Sequence, residues 1–227
     1  MTNVTRSPAR RPRSLVLLLL VVVFIIIVGG IYYLVFREED EGAPKPDTVA
    51  GQEDAADNAL GILRDLAEDN YTLLGFRSAD EAESATLGMP LTMYLVPLDQ
   101  LQAFEADASP SDLLHDSEIV LYPVLVDNTI RSAVSIQHSD DGWTPVAFGN
   151  VTLIQAIAET DLQEGDFIVQ VPALGLYFVG ARSDDELLLT SIVETAYDIP
   201  VGRPVNASEV FSILQPAAQE VDTDAPM

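Results

Sequence analysis

An uninterrupted apolar run near the N-terminus constrains this chain more than any other feature. Residues 15–36 are 22 consecutive residues without a charge. A helix rising about 1.5 Å per residue over that length crosses the ~30 Å hydrocarbon core of a bilayer. The run is longer than the roughly 7 to 15 apolar residues of a cleaved signal peptide, and no small-x-small cleavage site follows it. We therefore predict a single uncleaved transmembrane helix over residues 15–36.

The charges on either side of this run predict its orientation. Four of the 11 basic residues precede it, and all 36 acidic residues follow it. An excess of Arg and Lys marks the cytoplasmic side of a membrane segment. Residues 1–14 are therefore predicted to be a cytoplasmic basic tail whose arginines meet anionic lipid head groups. The chain is expected in the plasma (inner) membrane, with the rest of it in the periplasm or the extracellular space.

The composition of the outer part excludes several classes of function. It carries seven basic residues against 36 acidic ones, and the chain has no cysteine. Such a surface repels phosphate backbones, so nucleic acid is excluded as a partner. Without cysteine the exported domain has no disulfides and rests on its apolar core, which favours a bacterial envelope over a eukaryotic secretory route. The 48% hydrophobic content is sufficient for such a core.

Charge and periodicity separate a stalk from a folded domain. Residues 37–51 are charged, contain proline and lack apolar periodicity, which predicts a solvated acidic stalk. Apolar residues then recur at helical spacing and predict an amphipathic helix over residues 52–69, with Leu66 in its apolar stripe. We expect an extracytoplasmic domain over residues 52–215 and a flexible acidic tail over residues 216–227.

Runs of strand-forming residues in the middle of the chain predict a β-meander. Turn-forming residues separate three such runs at 118–126, 130–137 and 143–148. Within the second run Ile130, Val134 and Ile136 are assigned to one buried face. Further elements are predicted as a capped helix beginning at Ser78, strands at 91–96, 167–171 and 174–179, and a helix at 207–214. Because strands and helices do not alternate, the predicted class is α+β, an antiparallel sheet packed with several short helices.

The sequence contains none of the common catalytic or nucleotide-binding motifs. G-x-S-x-G, H-E-x-x-H, G-x-x-x-x-G-K-[ST], G-x-G-x-x-G and D-x-[DN]-x-[DN]-G are all absent. Lys45 is the only lysine and belongs to the predicted stalk, which argues against a Ser-Lys dyad or a Schiff base in the domain. We therefore assign no catalytic, cofactor-binding or metal-binding residue and expect no cofactor.

Four residues remain as candidates for a site. His115 and His138 both neighbour carboxylates, so a Ser-His-Asp arrangement or a shared metal site is one interpretation, and solvated loop side chains are the other. Asp140 and Asp141 offer oxygen ligands to Ca²⁺, or simply form a hairpin turn in which Gly142 supplies a positive φ.

These observations favour a non-catalytic domain that binds an envelope protein, a peptide or a wall component. One alternative is an uncharacterised envelope hydrolase that uses His115 or His138, and another is a structural or sensory subunit of an envelope complex. The aromatic residues allow either a binding groove or a core role. They are Tyr94, Tyr122, Trp143, Tyr177 and Tyr197.

Overall fold

A computed structural model of the chain describes residues 51–105, 107–183 and 186–221. The predicted cytoplasmic tail, the predicted transmembrane helix and nearly all of the predicted stalk lie outside the described residues, as do residues 222–227. Within the part that is described, no helix combines the length and the apolar character needed to cross a bilayer.

The described residues form an α+β fold around one large sheet, as predicted for the class. The strand order is β5-β4-β3-β2-β6-β7-β8-β9, with β1 paired to β3. The strands are β1 (Thr86–Leu87), β2 (Leu91–Leu95), β3 (His115–Val126), β4 (Thr129–Ser139), β5 (Gly142–Phe148), β6 (Phe167–Val171), β7 (Leu176–Ser183), β8 (Glu186–Ser191) and β9 (Pro204–Asn206). The helices are α1 (Gln52–Asn70), α2 (Ala79–Glu83), α3 (Leu98–Gln102), α4 (Val151–Ala158) and α5 (Ala207–Gln219), with 3₁₀ turns at Pro110–Leu113 and Pro172–Leu174.

The sheet is mixed, so the prediction of a wholly antiparallel sheet is wrong at one pair of strands. β2 and β6 run parallel, with Met93 opposite Ile168 and Leu95 opposite Gln170. The meander and α4 separate the two strands in sequence, and a connection of that length lets the chain return in the direction of β2. The other strand pairs of the described sheet are antiparallel.

The predicted meander is present as β3, β4 and β5. Asp127 and Asn128 join the first two strands with φ of 49° and 61°, the left-handed values that a two-residue type I′ turn requires at both positions. Asp140 and Asp141 form the second turn, and Gly142 follows with φ 119°. Both turns place Asx or Gly residues where a positive φ is needed, which explains why the sequence located them.

A β-bulge in β4 changes which face Ile130 occupies. Val124 pairs with Ser132 but Leu125 pairs with Ile130, so Arg131 is an extra residue on β4. Ile130 therefore packs on the α4 side, whereas the other two predicted members of its face pack beneath α1. The assignment of Ile130 to their face is wrong, and β4 is covered on both faces rather than one.

Helices α1 and α5 cover opposite ends of one sheet face, and α4 covers the other face. α1 packs across β4 and β5 through a face rich in alanine, and α5 packs with α3 over β6, β7 and β8. The largest fully buried side chains of the α5 cluster are Phe178, Phe211, Leu101, Leu189 and Leu214. The core thus lies on both sides of the sheet, and α1 packs against the edge strand β5 and its neighbour β4.

The last helix continues beyond its predicted end. α5 passes through Pro216 and ends at Gln219, so the first residues of the predicted flexible tail are helical. Ala218 is fully buried, and its carbonyl oxygen accepts a hydrogen bond of 2.8 Å from Gln102 Nε2. Gln215 Nε2 donates to the carbonyl oxygen of Phe104 at 2.6 Å. These contacts with the α3 segment hold the last turn in spite of the proline.

Candidate functional site

The first candidate histidine lies at the start of β3 and is exposed. His115 Nε2 is 2.9 Å from Gln100 Oε1. The neighbouring Asp116 carboxylate accepts a hydrogen bond of 2.8 Å from the backbone N–H of Glu118, a residue with φ of 59°. The Asp116 carboxylate therefore stabilises the irregular backbone at Glu118, and the His115 ring contacts a neutral amide.

The second candidate histidine is exposed near the end of β4. His138 is the cross-strand partner of Trp143, and the two ring centroids lie 4.9 Å apart with the planes tilted by 50°. Such a pair stabilises the end of the hairpin by burying part of the indole. The contact partner is an aromatic ring, not the carboxylate that orients a catalytic histidine.

The two histidines lie at the same end of the sheet, because the β3–β4 ladder begins where Ile119 meets Gln137. Asp140 and Asp141 occupy the nearby hairpin tip. Among the described residues, no group of three or more His, Asp or Glu side chains is arranged to hold a metal ion. Asp140 and Asp141 are the two turn residues between β4 and β5.

The aromatic residues do not line a single groove. Tyr122 and Trp143 pack beneath α1, Tyr94 and Tyr197 pack in the α5 cluster, and Tyr177 packs on the α4 side. They are divided among three parts of the core, in agreement with the core interpretation.

A depression of about 390 Å³ lies at the start of α1, between that helix, Pro90 and Tyr122. Gln52 Nε2 donates a hydrogen bond of 2.8 Å to Tyr122 Oη. Burial raises the pKa of the Tyr122 phenol, and the charges of Glu53 and Asp57 raise it further against the opposing hydrogen bond. The carboxylates at this depression are exposed, so they do not form an enclosed reactive site.

Large apolar side chains are exposed at the end of α1. Leu66 is 42% exposed and Leu73 is 77% exposed. The backbone N–H of Leu74 donates to the carbonyl oxygen of Asn70 at 3.2 Å, which continues the helical path beyond the end of α1. Residues seven positions apart on such a path lie on the same side, so Leu66 and Leu73 share one surface.

This surface lies on the flank of α1 that faces away from α2. Arg64 Nη2 donates to the carbonyl oxygen of Ala85 at 2.6 Å, which marks the flank of α1 that faces α2. Leu66 is on the opposite flank of the helix. Val146, in the edge strand β5 against which α1 packs, is 37% exposed. Val146 is the extra residue of a bulge, since Ser135 pairs with Ala147 but Ile136 pairs with Pro145. We call Leu66 and Leu73 the apolar flank.

Carboxylates border the apolar flank on its solvent side. Asp65 and Asp69 are exposed and lie one helical turn apart beside Leu66. The described residues contain five arginines and no lysine. Two of those arginines, Arg64 and Arg131, are directed to the Ala85 carbonyl and to Glu81. The surface thus combines exposed apolar side chains with negative charge.

Sequence reasoning did not identify this surface. Periodicity placed Leu66 in the buried stripe of α1, but the stripe is centred on small residues such as Ala59 and Ala67, and Leu66 lies at its margin. One signal was present in the adjacent leucines 73 and 74, because neighbouring residues in a helical turn do not share a face. Leu74 packs against the core, which leaves Leu73 in solvent.

Comparisons of the chain with protein-family models, with curated proteins and with solved structures found no match. The function therefore has to be argued from the site itself.

Proposed function

We propose that this protein is a non-catalytic interaction protein of the cell envelope, anchored by its N-terminal apolar run and binding a protein partner through the apolar flank. The observation that carries the proposal is the exposure of large apolar side chains together on one side of α1, with Leu73 at 77%. Isolated exposed apolar residues are common, whereas a group rimmed by polar residues is typical of a protein interaction site.

The candidate reactive groups support a binding role over hydrolysis. His115 contacts a glutamine amide and His138 contacts an indole ring. A hydrolase based on either histidine needs a nucleophile and an orienting carboxylate in hydrogen-bond reach of the ring. The proposal therefore expects a variant carrying His115→Ala and His138→Ala to retain the native phenotype. Loss of the phenotype in that variant, with the fold intact, would favour the hydrolase alternative.

The proposed topology places the N-terminus in the cytoplasm and the described domain outside. The asymmetry of arginine and acidic residues about the apolar run supports this orientation. Protease added to sealed, right-side-out spheroplasts should digest the domain. Protection of the domain until the cells are lysed would contradict the topology.

The binding role is tested by crosslinking in the native membrane. A full-length variant with Leu66→Ser and Leu73→Ser should lose a partner that the wild-type protein captures, because the exposed part of these side chains is buried only in the complex. Val193 and Val201 are 38% and 45% exposed outside the apolar flank, so Val193→Ser with Val201→Ser is the matched control. Equal capture by both variants would exclude the apolar flank as the binding surface.

A further inference from the structure

We propose that the partner docks on the apolar flank with an amphipathic α-helix that carries Lys or Arg beside its apolar face. This inference rests on the proposed binding function and adds the chemistry of the partner. Three properties of the described surface support it: its charge, the character of its edge strand and the spacing of its leucines.

The charge around the apolar flank favours a basic partner. Asp65 and Asp69 are exposed on its solvent side, and Arg64 is turned to the opposite flank of α1, where it binds the Ala85 carbonyl. Complementary charges at the rim of an interface speed association and reject partners of like charge. An acidic segment would face both carboxylates and the strongly negative domain, so it is disfavoured.

The edge strand β5, against which α1 packs, does not favour a partner that adds a β-strand. Pro145 lacks the N–H that a new strand would need, and Val146 is the extra residue of a bulge. Proline and bulges on an edge strand prevent edge-to-edge pairing. A partner therefore has to dock through side chains rather than through main-chain hydrogen bonds.

The spacing of the two leucines matches a helical partner. Leu66 and Leu73 are two turns apart on one side of the helical path, roughly 10 Å along the axis. A helix that docks on another surface presents anchors at positions i, i+3 or i+4, and i+7, which cover the same distance. Basic residues next to those anchors would reach Asp65 and Asp69.

A second copy of the chain is a poorer occupant. A twofold interface places the same surface patch of one protomer against that of the other. The patch includes Asp65 and Asp69, so two protomers would bring four exposed carboxylates into one interface. Like charges across an interface oppose association.

Site-specific photocrosslinking tests the inference in the full-length protein in its native membrane. A photoreactive residue replaces Leu73, and a control protein carries it in place of Val201. We expect an adduct at position 73 alone, mapped by mass spectrometry to an amphipathic helix with Lys or Arg beside its apolar face. An adduct in an acidic, uncharged or non-helical segment, or in a second copy, overturns the inference and leaves binding by the flank intact. No adduct at position 73 overturns both proposals.

A peptide of the captured helix then tests the two contributions separately. With the full-length protein in neutral-lipid nanodiscs, Leu73→Ser should raise Kd more than about tenfold, as expected for an anchor leucine. Asp65→Asn with Asp69→Asn should raise Kd about threefold to tenfold and reduce its salt dependence. Glu159→Gln with Glu164→Gln, a charge-matched pair of exposed residues after α4, should leave Kd unchanged. Equal effects of the two charge pairs would refute a local role for Asp65 and Asp69.

Discussion

Replacing Gly180 with alanine should destabilise the domain through a single side chain. Gly180 in β7 lies opposite Phe167 in β6. A Cβ atom at this position would be 2.7 Å from Phe167 Cζ and 2.9 Å from Cδ2, and closest to Cε2. Carbon atoms in favourable contact are about 3.5 to 4.0 Å apart. The phenyl ring would therefore have to move by about 1 Å to accept one methyl group.

The surroundings of Phe167 oppose that movement. The ring is 3% exposed, meets the ring of Tyr94 edge-on at 5.1 Å, and has the Arg182 guanidinium 4.8 Å from its centroid. Overpacking a filled core costs about 1 to 3 kcal/mol. Weakening the ring pair and the cation–π contact adds about 0.5 to 1.5 kcal/mol. We expect Gly180→Ala to lower the free energy of unfolding by about 2 to 4 kcal/mol.

A second glycine provides a matched control with the opposite expected sign. Gly61 lies inside α1, and a Cβ there would have no heavy atom within 4 Å. Alanine in a helix interior is more favourable than glycine by about 0.5 to 1 kcal/mol. Gly61→Ala should therefore stabilise the domain. Urea unfolding followed by far-ultraviolet circular dichroism measures both variants against wild type.

If Gly180→Ala is as stable as wild type, a methyl group at this position does not clash with Phe167 at the expected cost. A double variant tests the assigned cause directly, because Phe167→Leu removes the ring edge that the new methyl group meets. If the clash is responsible, the two substitutions together should cost less than the sum of their separate costs. Additive costs would show that the loss arises elsewhere.

Three further predictions concern charge. Burial raises the pKa of Tyr122 and Tyr177 above 10.0. The unfolded chain therefore loses these protons at a lower pH than the folded domain does. The free energy of unfolding should be constant below about pH 10 and fall as the pH rises toward the folded pKa values. In a variant with Tyr122→Phe and Tyr177→Phe, the free energy of unfolding should fall less steeply with pH in this range, by up to about 1.4 kcal/mol per pH unit for each tyrosine. Glu81→Gln should lower the free energy of unfolding in urea by about 1 to 2 kcal/mol. The reason is that Glu81 Oε1 lies 3.2 Å from Arg131 Nε and the Glu81 side chain is largely buried. The control Glu83→Gln, at an exposed position, should leave stability unchanged. The melting temperature should rise between about 0.01 and 0.1 M salt, equally for Na⁺ and K⁺, because screening weakens acidic repulsion. A much larger effect of Ca²⁺ at equal ionic strength would indicate a specific carboxylate site.

The elements that sequence reasoning located correctly are specified by neighbouring residues. The α1 helix follows from apolar residues at helical spacing, and its bounds agree with the prediction to one residue. The first meander turn follows from Asp127 and Asn128, whose side chains tolerate the left-handed conformation. The Ser78 cap of α2 forms as expected, with its hydroxyl oxygen accepting from the Glu81 backbone at 3.1 Å.

The features that sequence reasoning missed depend on contacts between distant segments. The parallel pairing of Met93 with Ile168 joins residues on either side of the meander, and no local pattern specifies it. The bulge at Arg131 also involves distant segments. The Arg131 carbonyl oxygen lies so close to Gly75 that no larger residue fits there, and the Arg131 guanidinium pairs with Glu81. Periodicity within β4 alone therefore assigned Ile130 to the wrong face.

The apolar flank was missed for the same reason, because its exposure depends on how α1 packs against the sheet. Its side chains contribute differently to folding and to binding. Small residues such as Ala55, Ala59 and Ala67 bring α1 close to the sheet, so the larger Leu66 and Leu73 remain on its margin. A side chain that stays in solvent gains little free energy of transfer when the chain folds. The fold therefore does not require leucine at position 73, which is 77% exposed, and a polar substitution there should leave stability nearly unchanged. An apolar residue that folding does not need stabilises a complex only when a partner removes it from water, which is the reason that we propose a binding role for Leu73.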